Sequence, residues 1–378
     1  MKYKTIKLSH TNEIIQTYGV NSLMAKVIES KKIDQKQFKS FMDPHLIYHD
    51  FSLFEEADET LERIEEAIAN KEKICIYGDY DCDGILATTI LVQAFHERGV
   101  EVGYHIPNRF TDGYGLNTTR VEQMAEKGYS LIITVDNGIK AFDAVEKAGE
   151  LGIDVIITDH HAFDGEVPVA YSIIHTKMSP KYPFKEICGG FIAYKLAAAL
   201  LKHHDPYLFT LASITTISDM MPLLDENRSL VRRGLQFMKQ YKYPSLELLK
   251  GSRDYDATTI GFTIAPRINA FGRLPELVNP VYLVKYFLKE ADPAYQEKIS
   301  NYASKINSKR QSLTTSLYKE AVTDTSSPCL FYGSENMHEG LVGLVAGKYT
   351  REYEQPAFVM HYNPKEEIYK GSARGIDG

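Results

Sequence analysis

Three short apolar runs constrain the fold more than anything else in this chain. Ile74 to Tyr77, Leu131 to Val135 and Asp154 to Thr158 are compact, rich in β-branched residues and read as buried strands. Between them lie helical stretches, Ile85 to Arg98 closed near Gly99, and Lys140 to Leu151 followed by Gly152, with a further strand at Val100 to Ile106. Strands alternating with helices of this length imply an α/β fold, a mostly parallel sheet flanked by helices on both faces. Such sheets bind ligands outside the carboxyl ends of their strands.

Each of those carboxyl ends carries acids. The first run passes into GDYDCDG, with Asp79, Asp81 and Asp83 at alternate positions, so an extended segment would set all three on one side. Asp136 follows the second run in TVDNG, and Asp159, His160 and His161 follow the third. A single aspartate after a strand is ordinarily a turn or cap residue. Three such ends, one with paired histidines, point instead to a site. Clustered carboxylates repel unless a cation joins them, and a divalent metal does so most economically. An EF-hand loop also begins D-x-D-x-D-G, but it needs a preceding helix and a glutamate at its twelfth position. Here a β-like run precedes it and Ile90 stands twelfth. Asp219, in ISDMMPL at the end of an apolar run, is a further candidate ligand because its apolar setting needs a partner for the charge.

Oxygen ligands with imidazole and no thiolate favour manganese, with magnesium as the alternative, over structural zinc. The number of ligands suits two divalent ions bridged by a shared carboxylate. Such a pair activates water and holds both oxygens of an in-line displacement at phosphorus. An anion-binding complement is available: the formal charge of −7 argues against a generic nucleic-acid binder, yet residues 228 to 310 hold 15 Lys and Arg against 7 Asp and Glu. Arg267, Arg273 and Arg310 lie there, the first two in PRINAFGRL, which reads as a loop with Asn269 and Gly272 suited to close backbone approach. Arginines salt-bridged on a solvated helix face are the plainer reading of the same residues.

The 378 residues predict two domains. Residues 1–50 form an N-terminal leader that ends in an Asp43-Pro44 turn; 51–290 a catalytic domain; 291–325 a connecting helix; and 326–378 a second, smaller α/β domain. Within these, Phe54 to Asn70 reads as an amphipathic helix and Phe191 to Leu201 and Leu208 to Ile217 as apolar helices. A long helix opens at Asp292-Pro293 and reaches about Ala321. TDTSSP at 323–328 marks a boundary, followed by a strand at Cys329 to Tyr332, a helix at Leu341 to Tyr349 and a strand at Ala357 to His361. Four cysteines without C-x-x-C spacing predict reduced thiols in a cytoplasmic protein, and the start MKYKTIKLSH has no apolar core that would direct it to a membrane.

These motifs together resemble the DHH phosphoesterases, named for a triplet present here as Asp159-His160-His161, and most closely their bacterial single-strand-specific exonuclease branch. GDYDCDG, TVDNG, TDHH and ISDMMPL match the family's first four motifs in order; PRINAFGRL, NSKRQ at 307–311, HEGLVGLVAG at 338–347 and GSAR at 371–374 match later ones. The resemblance covers the chain from about residue 50 onward. It implies a first ion on Asp79 and Asp81, a second on Asp83, His160 and Asp219, and Asp136 as the bridge. Asp136, His160 and His161 would carry catalysis, with His161 on the scissile phosphate. Arg273, Arg310 and Gln311 would guide the strand, and His338, Ser372 and Arg374 would bind a phosphate from the associated domain; Arg267 and Asn269 join the DNA-binding candidates on the residue reading of PRINAFGRL alone. The implied reaction is 5′-to-3′ hydrolysis of single-stranded DNA to mononucleotides in recombination and repair, with single-strand-binding protein as a partner. A phosphodiesterase for short oligonucleotides or cyclic dinucleotides is the alternative within the family. A non-catalytic binding subunit is another, but its expected mark is loss of metal ligands, and all six are present. Tyr77 departs from the family pattern, where histidine often stands. Gly378 follows closely on GSAR, whereas members continue through the rest of the associated domain and an OB-fold, so an incomplete second domain is expected.

Overall fold

The computed structural model describes residues 7–42, 45–321 and 326–376. Its centre is a five-stranded, wholly parallel sheet of order β2-β1-β3-β4-β5, formed by β1 (Ile74–Tyr77), β2 (Gly103–His105), β3 (Leu131–Val135), β4 (Asp154–Thr158) and β5 (Ser172–Ile174). In register, Ile76 lies beside Ile133 and Ile133 beside Ile156. The predicted bounds of β1, β3 and β4 hold to the residue, because strands covered on both faces are apolar through most of their length and stop just before the clustered acids.

The helices in chain order are α1 (Thr11–Tyr18), α2 (Ser22–Ser30), α3 (Gln35–Met42), α4 (Ala57–Ala69), α5 (Cys82–Glu97), α6 (Thr118–Glu126), α7 (Phe142–Glu150), α8 (Gly189–Leu201), α9 (Pro206–Ser218), α10 (Asp225–Tyr241), α11 (Pro244–Lys250) and α12 (Ala257–Thr259). A π-helical turn, Ile260–Ile264, joins α12 to α13 (Ala265–Arg273), and α14 (Val281–Phe287) and α15 (Pro293–Glu320) follow. The period-two alternation of the strands sorts these helices. Ile74, Ile76, Leu131 and Ile133 point to a core shared with α5, α8 and α9, whereas Cys75, Tyr77, Ile132 and Val155 point to a smaller one shared with α6 and α7.

Two expectations are corrected. Residues 82–84 are not extended: α5 opens at Cys82 because Asp81 caps it, its carboxylate accepting the Asp83 and Gly84 amides. PRINAFGRL is helix α13 rather than a loop, with Pro266 at the point where the π-helical turn passes into it. The first 50 residues contribute three helices, and residues 47–49 fasten this segment to α10: the Ile47 amide donates to Ser229 and the His49 amide to Glu226. Asp43-Pro44 and residues 323–325 of the TDTSSP boundary lie outside the described residues.

The long helix opens as predicted, with Asp292 accepting the Tyr295 amide and Pro293 at the first position. α15 packs on α11, α13 and α14 and, near its far end, on α16 (Val342–Tyr353). That last helix covers a three-stranded mixed sheet, β6 (Leu330–Ser334) parallel to β7 (Ala357–Asn363) and β7 antiparallel to β8 (Ile368–Arg374), which is the second, smaller unit. No helix among the described residues is long and apolar enough to cross a membrane.

Candidate metal centre

The carboxyl ends of β1, β3 and β4 converge, as expected for a parallel sheet. Donor atoms of Asp79, Asp81 and Asp136 lie within 4.8 Å of one another, as do those of Asp83, His160 and Asp219. Asp136, His160 and His161 form a third such group. His160 joins the two halves: its Nε2 is 3.1 Å from Asp136, 3.6 Å from Asp219 and 3.8 Å from Asp83.

Each ligand is held by a local device. A helix N-terminus grips Asp83: its two oxygens accept the Gly189 and Gly190 amides of α8, each at 2.8 Å. Asp136 adopts φ +62, a left-handed backbone that few side chains accept, and its amide bonds the Thr158 carbonyl at 3.0 Å. Met220, directly after Asp219, is left-handed too, so strained backbone flanks two of the candidate ligands. Asp159 is an organiser. It accepts the amides of Ile139, His160 and His161 and bonds the His161 ring at 2.7 Å.

Electrostatics fit a cation site. Burial, then the charge of Asp81, holds Asp79 well above the ordinary carboxylate range, and burial followed by Asp83, Asp81 and Asp79 does the same to Asp136. Burial and Asp83 push Asp219 up to about 8. Burial lowers His160 towards the neutral, ligating form. Burial also opposes the charged form of His161, but its bond to Asp159 outweighs that and raises it to about 9. Asp79 Oδ1, Asp136 Oδ1 and His160 Nε2 are buried without a well-formed hydrogen bond. Buried carboxylate oxygens and a neutral imidazole nitrogen aimed into one space, with no well-formed hydrogen bond among them, fit divalent cations.

The remaining sequence candidates divide. Arg273 is half-buried close to Arg109, Arg310, Asp81 and Tyr80; desolvation first, then the two arginines, lower it to about 10. Arg310 bonds Asn307, and Gln311 beside it is exposed. Asn269 is turned to structure, its side-chain oxygen accepting the Cys82 amide at 2.7 Å. Arg267 points elsewhere and bonds the Leu249 carbonyl. His338 bonds Glu276 at 3.2 Å and faces Phe110, while Ser372 and Arg374 both border Gly343. Tyr77 is buried in the α6/α7 core with its hydroxyl on the Gly115 carbonyl, so it stands apart from the ligand groups. Sequence reasoning overlooked Gly189, Gly190 and Arg109, whose guanidinium lies 5.3 Å from the Tyr80 ring centre. A Gly-Gly pair opening an apolar helix, and an arginine in the turn-rich segment PNRFTDGYG, were the available signals.

Comparison with known proteins agrees with this geometry. Residues 73–218 match the DHH family, N-terminal domain. That match spans the parallel sheet and every candidate ligand except Asp219. Relatives similar to this chain include RecJ exonucleases. The single-stranded-DNA-specific exonuclease RecJ of Bacillus subtilis is 38% identical over 331 residues, 85% of this chain and 42% of its own length. That of Escherichia coli is 30% identical over 355 residues, 85% of this chain and 60% of its own. The crystal structure of Thermus thermophilus RecJ in complex with Mn2+ superposes with a TM-score of 0.79 at 26% identity, covering 93% of this chain and 52% of that one. A manganese-bound exonuclease RecJ gives 0.73 at 29% identity, covering 80% and 79%. The chain thus spans about half the length of these curated relatives.

Proposed function

We propose that this chain is a RecJ-type nuclease that hydrolyses single-stranded DNA from its 5′ end to mononucleotides, using two divalent ions, manganese or magnesium. The observation that carries the reading is the pair of ligand groups meeting at Asp136 and His160, with buried, orphaned donors in both. Asp79, Asp81 and Asp136 would hold one ion, and Asp83, His160 and Asp219 the other, Asp136 lying between. Bound there, such ions supply an activated water and charge neutralisation at the scissile phosphate. His161, oriented by Asp159, which supports its charged form, would bind that phosphate as an imidazolium. Arg109, Arg273 and Arg310 form the cationic wall for the strand, with His338, Ser372 and Arg374 adding phosphate contacts from the smaller unit. Arg267 and Asn269 serve the fold, holding the Leu249 carbonyl and the Cys82 amide, and are not proposed as strand contacts. The biological setting we propose is recombination and repair in the cytoplasm, alongside single-strand-binding protein.

The test uses long single strands labelled at the 5′ or the 3′ end, and a dinucleotide, each with Mn2+. Early release of a labelled mononucleotide from the 5′ end supports the reading. Release from the 3′ end, or action on the dinucleotide alone, overturns it.

A further inference from the structure

Beside His161 the sheet edge opens into a hollow of about 360 Å3, walled by Tyr114, Leu116, Ile139, Ala141, Asp159 and His161. A second hollow of about 340 Å3 adjoins it, sharing Leu116, Lys140 and Ala141, and is bounded further out by Asn117, Phe142 and Asp143. The two make one groove that starts at the ligand cluster and leads away over α6 and α7. Its inner part is cut close to the backbone. Gly115 and Gly138 both have positive φ, and a Cβ on Gly138 would come within 2.6 Å of Thr134 Oγ1. Under this floor Thr134 Oγ1 and Asn137 Oδ1 are buried without partners, and the Cβ position of Gly115 is 3.5 Å from the latter.

Two side chains give the groove a chemical identity. Lys140, the only lysine or arginine in either lining, is exposed and has no ion-pair partner among the described residues. Phe142, next but one, is 41% exposed at the mouth of the outer hollow. A single cation beside an unburied ring, continuous with a phosphodiester-cleaving centre, is the pattern of a single-strand path. The cation meets a backbone phosphate and the ring stacks a base whatever its sequence. Direction follows from charge. The arginines of α13 and α15 lie with the α5 side of the sheet, where a terminal phosphate with its extra charge is best held. The groove is on the α6/α7 side, holds one lysine and continues outward, as a continuing strand requires.

We infer that the Leu116–Phe142 groove binds the two nucleotides on the 3′ side of the scissile bond, with the first nucleoside in the inner hollow, the next phosphate at Lys140 and the next base on Phe142. The inference rests on the single-strand nuclease reading and assigns its downstream subsite. Lys140→Ala and Phe142→Ala are compared with the parent chain on an octanucleotide and a dinucleotide, both with Mn2+. For either variant the octanucleotide-to-dinucleotide ratio of kcat/KM should fall by about tenfold, the order expected for one lost stack or phosphate contact. The salt dependence of KM for the octanucleotide should flatten by about 0.7 in log–log slope for Lys140→Ala only. An unchanged ratio in both variants, or an equal loss on the dinucleotide, overturns the subsite. Anisotropy of a fluorescein-labelled oligothymidylate octamer with the metal-free full chain separates the two readings. If the parent chain cleaves nothing yet the variants bind the octamer about tenfold more weakly, the groove stands and the nuclease reading falls; equal binding with no cleavage sinks both.

Discussion

A methyl group on Gly189 would lie 2.6 Å from Asp136 Oδ1. The residue whose amide holds Asp83 is therefore also the one that leaves room for the proposed bridging carboxylate. Gly189→Ala should force Asp136 aside and cost about 1–3 kcal/mol through overpacking. We expect a folded protein whose melting temperature no longer rises with Mn2+. A normal manganese-dependent rise in that variant would show that Asp136 can shift without loss of ion binding.

Asp136 itself stores two costs in the ion-free chain: a left-handed backbone and a buried carboxylate among like charges. Asparagine tolerates the backbone and removes the charge. Asp136→Asn should raise the melting temperature of the metal-free protein while abolishing hydrolysis and weakening ion binding. A lower melting temperature without metal would mean that the carboxylate stabilises the fold.

The strands, and the acids that the structure gathers at their carboxyl ends, were legible because both are written locally. Buried parallel strands leave unbroken apolar runs, and aspartates directly after them mark the binding edge. What was missed depends on tertiary partners. Gly272 looked like a loop residue, yet it sits in α13 because a Cβ there would strike the Tyr80 carbonyl. That packing cannot be read from PRINAFGRL alone. β5 is only three residues long and relies on Thr60, whose hydroxyl meets Ser172 at 2.7 Å across more than a hundred residues of chain. Likewise Arg267 and Arg273 are indistinguishable in the motif, and only the fold turns one to Leu249 and the other to the site.

Lys195 and Glu226 form a fully buried ion pair at 2.8 Å, with the ammonium also bonding the His49 carbonyl and lying 3.9 Å from the Tyr48 ring centre. This pair ties the 47–50 segment to α8 and α10. Lys195→Met leaves Glu226 buried with Tyr182 as its remaining side-chain partner and should cost about 3–5 kcal/mol. Adding Glu226→Gln should recover part of that loss in urea unfolding. No recovery would mean that the ammonium acts mainly through His49 and Tyr48.

His161 titrates at about 9 because Asp159 supports its charged form against burial. If the imidazolium binds the scissile phosphate, hydrolysis should fall on the alkaline side of its pH profile as His161 loses its proton. Asp159→Asn should move that alkaline limb towards the free-imidazole value, near 6.5. A pH–rate profile unchanged by the substitution would remove His161 from phosphate binding.

The ligand cluster also sets the direction of pH-dependent stability. Asp79, Asp136 and Asp219 bind protons more tightly folded than unfolded, with Asp219 shifted from 3.8 to about 8. Between those pH values the native state holds more protons than the unfolded chain, so its stability is full below the lower value and declines as pH rises towards the upper one. These three carboxylates therefore favour a higher melting temperature of the metal-free protein near pH 5 than near pH 8, against the opposite contribution of His105, His160, His175 and His204, which burial lowers. Saturating Mn2+ should reverse the slope, because the ions bind the deprotonated ligands and each added proton competes with them. The measurement is the difference between the two melting curves, with and without manganese, across pH 5 to about 8. Parallel curves would mean that the ions bind away from these three carboxylates.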